Sequence, residues 1–185
     1  MIEEVLEELQ TSTVKAHEAL KRELAKLRTG RAHPGMLDLI RVDYYGQRTP
    51  IAQMATVNVP EARLLTVQPW EKTQVSAIER AIRESDLGLN PQVDGMVIRI
   101  PVPPLSEERR KDLVKIAKKS GEECKVAIRR VRHDALDMLG EMKTSGDASE
   151  DAIDRGKKKA EDIVSAAVQV VDSLVQAKEK EILTV

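Results

Sequence analysis

The stretch SEERRKDLVKIAKKSGEECKVAIRRVRHDALDMLGEMK, residues 106–143, carries two stripes at helical spacing. At about 100° per residue, an α-helix places an apolar stripe on one side and six cations on the other. The apolar stripe comprises Leu113, Ile116, Ala117, Cys124, Ala127, Val131, Ala135, Met138 and Met142. The cationic arc comprises Lys111, Lys115, Lys118, Lys125, Arg129 and Arg132. The pattern predicts a helix ~55 Å long that packs on one side and faces an extended polyanion, most commonly a nucleic acid, on the other.

Charge is distributed unevenly along the chain. The 185 residues have a net charge of −1, yet residues 107–132 hold ten Lys/Arg against five Asp/Glu, a net of +5. Residues 145–185 hold six Lys/Arg against nine Asp/Glu, a net of −3. A basic face on a neutral protein is typical of reversible, salt-sensitive attachment to a polyanion. The alternative is a solvated helix face, because Lys and Arg lie on protein surfaces by default.

Composition limits the class of protein and its compartment. Hydrophobic residues make up 41% of the chain, enough for a packed core, whereas aromatic residues make up 2%, so stacking of bases on aromatic rings is not expected as the main binding mode. A single cysteine excludes an intramolecular disulfide and fits a reducing compartment. There is no apolar run of ~20 residues, and the acidic N-terminus resembles no targeting segment. We therefore expect a cytoplasmic protein without a membrane partner.

Periodicity and turn residues divide the chain into helical ends and a β-rich middle. Apolar residues at spacings of three and four predict a first helix over residues 2–28, with Gly30 as its C-cap, and a last helix over residues 149–183. Between them, residues 71–85 also have a helical pattern. Strands are predicted at residues 39–45, 54–59, 63–68 and 97–102. Pro101 suggests that the last strand lies at a sheet edge.

This order of elements predicts an α+β fold. Each long helix has a single apolar stripe and cannot bury that stripe alone, so we expect an antiparallel three-helix bundle with a small β/α/β sandwich domain inserted after its first helix. The bundle domain would contain residues 1–30 and 105–185, and the inserted domain residues 31–104. The insert would be attached through two short connections, near Gly30 and near the proline pair at 103–104, which together would form a hinge.

The sequence lacks the usual signatures of catalysis and metal binding. It contains neither a phosphate-binding loop nor a dinucleotide-binding glycine motif. His17, His33 and His133 are far apart and form no metal-binding pair. Cys124 lies on the apolar stripe, where a core role is favoured over a nucleophilic one. We therefore expect no enzyme activity, no cofactor and no metal.

Five motifs resemble the ribosome recycling factor family. They are LRTGRAHPGMLD (27–38), VDYYG (42–46), SDLGLNP (85–91), PPLSEERRKDLVK (103–115) and VAIRRVRHDA (126–135). The resemblance runs from the first helix to the last. It implies an L-shaped, monomeric, two-domain protein of tRNA-like dimensions without a catalytic site. It further implies binding to the ribosome after termination, through large-subunit rRNA at the subunit interface. With elongation factor G and GTP, such a protein promotes subunit splitting and the release of tRNA and mRNA.

The resemblance also suggests which residues act. It places rRNA contacts at Arg110, Arg129 and Arg132, with Arg28 and Arg31 near the hinge, and the cationic arc adds Lys111, Lys115, Lys118 and Lys125. The hinge itself falls on Gly30, Arg31, Pro103, Pro104, Leu105 and Ser106. Two positions depart from the family's pattern. His33 stands where the family usually has Asn or Ser. His133 stands where it usually has a second basic residue, which could weaken one phosphate contact at neutral pH.

Two other classes of function stay open at the level of sequence. One is a helical scaffold that recruits proteins and whose charges only solvate it. The other is a hydrolase that uses the inserted domain, against which the lack of a paired nucleophile and base argues.

Overall fold

The computed structural model describes residues 1–184, which form two compact units. One unit contains Met1–Arg28 and Glu107–Thr184, and the other contains Thr29–Ser106. The first is built from long helices and the second from antiparallel strands with one short helix. The predicted α+β class is therefore confirmed. Within the described residues, no helix is both long and apolar enough to cross a bilayer.

The helical unit is a three-helix bundle of α1 (Ile2–Ala25), α3 (Glu107–Ser145) and α4 (Glu150–Thr184). The sulfur of Cys124 in α3 donates a hydrogen bond to the carbonyl of Ala16 in α1, and Gly121 approaches Val175 in α4. Helix α3 is antiparallel to both neighbours, since its N-terminal half lies beside the C-terminal halves of α1 and α4. The bundle buries an aliphatic core, as the low aromatic content requires.

Helix α1 ends three residues earlier than predicted. It stops at Ala25 because the N–H of Lys26 bonds back to the carbonyl of Glu23, which tightens the last turn. Gly30 has a φ of +79° but lies in the loop beyond, within the second unit. The prediction that Gly30 caps this helix is wrong.

The buried face of α3 differs from the predicted apolar stripe. Ile116 and Met138 are each 41% exposed and Ala127 is also exposed, whereas Ile128 and Leu139 are fully buried although the stripe omitted them. The omitted residues lie on the α4 side of the helix and the exposed ones on the opposite edge. The predicted apolar stripe is therefore rotated away from the face that contacts α4. The sequence pattern of α3 alone does not indicate where its two partner helices pack.

The second unit combines a hairpin, a sheet and a helix. The hairpin pairs β1 (Arg41–Tyr44) with β2 (Gln47–Pro50). The sheet has the antiparallel order β3-β4-β6-β5 and is formed by β3 (Ala55–Glu61), β4 (Leu64–Pro69), β5 (Gln92–Asp94) and β6 (Val97–Pro101). Helix α2 (Val75–Arg83) buries Ile78 and Ile82 against this sheet. The core also includes Leu65, Val67, Ile98 and Ile100.

The sheet corrects one expectation and adds two strands. Strands β2 and β5 were not predicted. Strand β6 is internal, with β4 on one side and β5 on the other, so the predicted edge position is wrong. Pro101 is tolerated because β5 pairs only with residues up to Arg99. Pro101 itself lies opposite Leu64 alone, and its missing N–H removes no bond to β5.

Candidate nucleic-acid interface

Two lysines of the predicted cationic arc reach acidic residues of α4. Lys125 Nζ lies 2.7 Å from Asp172 Oδ1, and Lys118 Nζ lies 3.5 Å from Glu179 Oε1. The hydrogen bond to Asp172 raises the pKa of Lys125 above its usual value, and the side chain of Lys125 is only 23% exposed. These two cations therefore border the α3–α4 contact instead of facing away from the core.

Arg132 makes the third and most elaborate contact between these helices. Its Nε lies 3.0 Å from both carboxylate oxygens of Glu161, and its Nη2 donates to Oε1. These hydrogen bonds raise the pKa of Arg132 and lower that of Glu161, so the pair stays ionised at neutral pH. The prediction that the cationic arc lies opposite the core is wrong for Arg132, as for Lys118 and Lys125. The arc also adjoins α4.

The other three cations of the arc form no ion pair with the described residues of α4. Lys111 forms an ion pair with Glu107 of its own helix at 3.0 Å. Lys115 and Arg129 are exposed, and neither forms an ion pair within residues 1–184. An exposed pair one helical turn apart contributes little to stability, so Lys111 can exchange its partner for another anion at small cost.

Two further exposed cations were not in the predicted site. Lys119 and Arg130 lie on the same solvent-facing side of α3 and form no ion pair with another described residue. At about 100° per residue they fall outside the narrow arc. Only their solvent exposure, which the sequence pattern does not give, identifies them as candidates. We call the following set the exposed cationic surface: Lys111, Lys115, Lys119, Arg129 and Arg130.

The remaining predicted contact residues lie apart from this surface. Arg110 is partly buried near the start of α3 and interacts with other groups of the chain. Arg28 and Arg31 are exposed in the loop that follows α1. Arg28 belongs to the helical unit and Arg31 to the second unit.

The predicted hinge residues lie in two irregular segments. Residues 26–33 and 102–106 contain neither helix nor strand. A Cβ added to Gly30 would lie 3.2 Å from Leu105 Cγ, so the two segments touch inside the second unit. Arg31, Pro103, Pro104 and Ser106 are exposed. The positive φ of Gly30 and the fixed φ of the two prolines define the backbone here.

Each departure from the family's pattern has a local explanation. His33 Nδ1 accepts a hydrogen bond of 2.9 Å from the N–H of Gly35 and so caps a short 3₁₀ helix, Pro34–Leu37. An Asn or Ser side chain would bond in the same way. His133 is 75% exposed and lies 3.3 Å from Asp137. Its imidazole is therefore directed at a carboxylate of its own helix.

The structure offers no catalytic arrangement around the cysteine. Cys124 is buried, and desolvation raises the pKa of its thiol, which keeps the sulfur protonated. Among the described residues, no cluster of three or more His, Cys, Asp or Glu side chains is suited to a metal ion. The feature of the described residues that bears on binding is therefore the charge of the exposed cationic surface.

Sequence comparisons identify close relatives. A sequence model described as Ribosome recycling factor matches residues 20–183. The chain is 60% identical over 185 residues to a protein named Ribosome-recycling factor from Sorangium cellulosum (strain So ce56), with all of both chains covered. It is 52% identical, again over all of both chains, to a protein of the same name from Halalkalibacterium halodurans.

Two solved structures are also similar. One is described as a solution structure of the ribosome recycling factor. It is 41% identical, has a TM-score of 0.70, and the match covers 100% of this chain and 98% of that one. The other is described as models for the T. thermophilus ribosome recycling factor and the E. coli elongation factor G bound to the E. coli post-termination complex. It is 43% identical, with a TM-score of 0.61 and 99% of each chain covered. By sequence and by structure, the chain belongs to the ribosome recycling factor family.

Proposed function

We propose that this protein binds the post-termination ribosome and, with elongation factor G and GTP, promotes subunit splitting and the release of tRNA and mRNA. Membership of the family supports this role. The similar T. thermophilus factor is described together with elongation factor G on a post-termination complex. The protein would act as a binding factor, with GTP hydrolysis supplied by its partner and no catalytic step of its own.

The observation that carries the proposed rRNA contact is the exposed cationic surface on α3. Five cations project from one side of a helix of 39 residues, and four of them (Lys115, Lys119, Arg129 and Arg130) form no ion pair with the described part of the chain. Phosphates release counterions when such cations approach, which gives salt-dependent affinity. Double-stranded rRNA hides its base edges in a deep groove, so phosphate contacts of this kind fit large-subunit rRNA at the subunit interface.

The two units would act as separate domains joined by a hinge. We assign Met1–Arg28 and Glu107–Thr184 to the ribosome-binding domain and Thr29–Ser106 to the inserted domain, which moves each boundary by two residues from the bounds expected from sequence. The hinge would consist of the irregular segments with Gly30–Arg31 and 103–106. A GTPase that pushes on the inserted domain could then rotate it about the bundle, and the bound helix would transmit the displacement to rRNA.

The binding surface is tested by removing two of its cations. The double variant Arg129→Ala and Arg130→Ala should weaken binding to large subunits and lower the slope of log affinity against log salt by about two, roughly one per phosphate contact. Lys15→Ala is the control, because Lys15 is exposed on α1 and its loss removes a positive charge from outside this surface. Binding would be measured by sedimentation over a range of salt concentrations. Equal affinity and equal salt slope for the double variant and the control would overturn the proposal that this surface binds rRNA.

The hinge is tested by replacing Pro103 and Pro104 with glycine. Glycine frees two fixed φ angles, so a push on the inserted domain would no longer be transmitted along a defined path. We expect ribosome binding to be retained but subunit splitting with elongation factor G and GTP to slow, as followed by sedimentation of post-termination ribosomes. An unchanged splitting rate in the variant would contradict the hinge. Absence of splitting by the wild-type protein would contradict the proposed function itself.

A further inference from the structure

Three ion pairs join the cationic arc of α3 to α4, and they differ in how many N–H donors of the cation remain free for another anion. The ammonium groups of Lys118 and Lys125 are single centres of charge, already directed at Glu179 and Asp172. Arg132 is bound to Glu161 but remains 41% exposed. An arginine can also bind two anions at once, because its planar guanidinium carries five N–H donors on separate edges.

Glu161 occupies one edge of the Arg132 guanidinium and leaves the other edge open. The carboxylate receives hydrogen bonds from Nε and Nη2. The Nη1 group donates to no protein atom in residues 1–184. The edge formed by Nη1 and the second N–H of Nη2 is a fork of the kind that binds a phosphate with two parallel hydrogen bonds.

We propose that Glu161 is a positioning residue for rRNA binding: it fixes the Arg132 side chain so that its free edge is presented to a phosphate. This inference rests on the proposed function, because it assumes that the protein binds rRNA. It adds a residue of α4 that acts through a cation of α3. An arginine side chain has many rotamers, and a ligand that must order it binds more weakly. A carboxylate from the neighbouring helix orders the side chain before the phosphate arrives.

The sign of the effect separates positioning from simple electrostatics. Removal of the negative charge of Glu161 makes this side of the bundle more positive, so electrostatics alone predicts tighter binding to rRNA. Loss of positioning predicts weaker binding, because Arg132 becomes free to adopt other rotamers. Glu161→Gln has nearly the same shape and loses the charge-assisted contact, so the two explanations give opposite results for one variant.

Asp172→Asn provides the matched control. It removes one negative charge from the side of α4 that pairs with α3, but its partner Lys125 is only 23% exposed. Positioning of Arg132 predicts that this variant binds as tightly as the wild type or more tightly. Glu161→Gln should instead bind large subunits about three- to tenfold more weakly, the range for one ordered side chain. Arg132 and Glu161 are both about half exposed, so loss of their ion pair should leave the protein folded. Far-UV circular dichroism would verify this.

A double-mutant cycle completes the experiment. In a protein that already carries Arg132→Ala, Glu161→Gln should have no further effect on affinity, because the residue it positions is gone. Equal or tighter binding by Glu161→Gln, or a weakening that persists without Arg132, would overturn the inference. If the wild type binds large subunits and loses affinity on Arg129→Ala and Arg130→Ala, the proposed function stands whichever result Glu161 gives. If the wild type shows no salt-dependent binding, both proposals fail.

Discussion

Replacement of Gly121 by alanine should destabilise the helical bundle, although alanine is the better helix former. A Cβ at this position would lie 2.6 Å from Cγ2 of Val175 on α4. Valine cannot easily move this methyl group, because branching at Cβ restricts its χ1 angle. The backbones of α3 and α4 must therefore separate, or Val175 must adopt a strained rotamer. Overpacking of this kind typically costs about 1–3 kcal/mol.

Gly140 supplies a control in the same helix. A Cβ at Gly140 would meet no heavy atom within 4 Å. Both substitutions gain the same helix propensity, about 1 kcal/mol relative to glycine. Only Gly121→Ala suffers the clash. The difference in free energy of unfolding between the two variants therefore measures packing alone, and we expect Gly140→Ala to be more stable by about 1–3 kcal/mol.

The assay is denaturant unfolding followed by helical circular dichroism, with wild type, Gly121→Ala and Gly140→Ala measured side by side. Gly140→Ala should unfold at higher denaturant concentration than the wild type, and Gly121→Ala should unfold at a lower concentration than Gly140→Ala, with similar slopes. Equal midpoints for the two variants would show that α3 and α4 do not approach closely at Gly121, and the reasoning would be refuted.

Two further predictions concern the second unit, whose unfolding can be followed by the fluorescence of the single tryptophan. His33→Ala should lower its stability by about 1 kcal/mol, the usual value of a cap, because the N–H of Gly35 loses its acceptor, whereas His33→Asn should restore most of this loss. Hydrogen bonds to Glu71 raise the pKa of Tyr44 and of Tyr45. Their contribution to stability should persist at neutral pH and fall as the pH rises above about 10, and Glu71→Gln should make that fall shallower.

The long helices were predictable because their apolar residues recur at helical spacing over many turns. The long helices and the inserted β-rich segment follow from apolar spacing and from Gly and Pro positions. Strand β2 was missed because QRTP has no apolar alternation, and β5 was missed because its three residues are all exposed. Neither strand buries a side chain that a hydrophobic pattern could reveal, so pairing with a neighbour alone makes them strands.

The candidate site was predicted less well than the fold, although the sequence contained a signal that separates the two kinds of cation. Lys118, Lys125 and Arg132 recur every seven residues, and Asp172 and Glu179 on α4 are also seven residues apart. Seven-residue spacing keeps side chains along the border of a helix–helix contact, where opposite charges pair across antiparallel helices. A surface that binds phosphate has no such constraint. The excess of acidic residues in the last segment was a further indication of these partners.

The pairing of half the arc inside the protein bears on the selectivity of the proposed RNA binding. Six unpaired cations along one helix would release counterions on any RNA, and each would add roughly 0.7–0.9 to the salt slope. Three of the six instead contact acids of α4. This pairing lowers attraction to arbitrary polyanions and leaves a small set of exposed cations. If the protein binds rRNA as proposed, its affinity depends on the placement of a few phosphates and less on total charge.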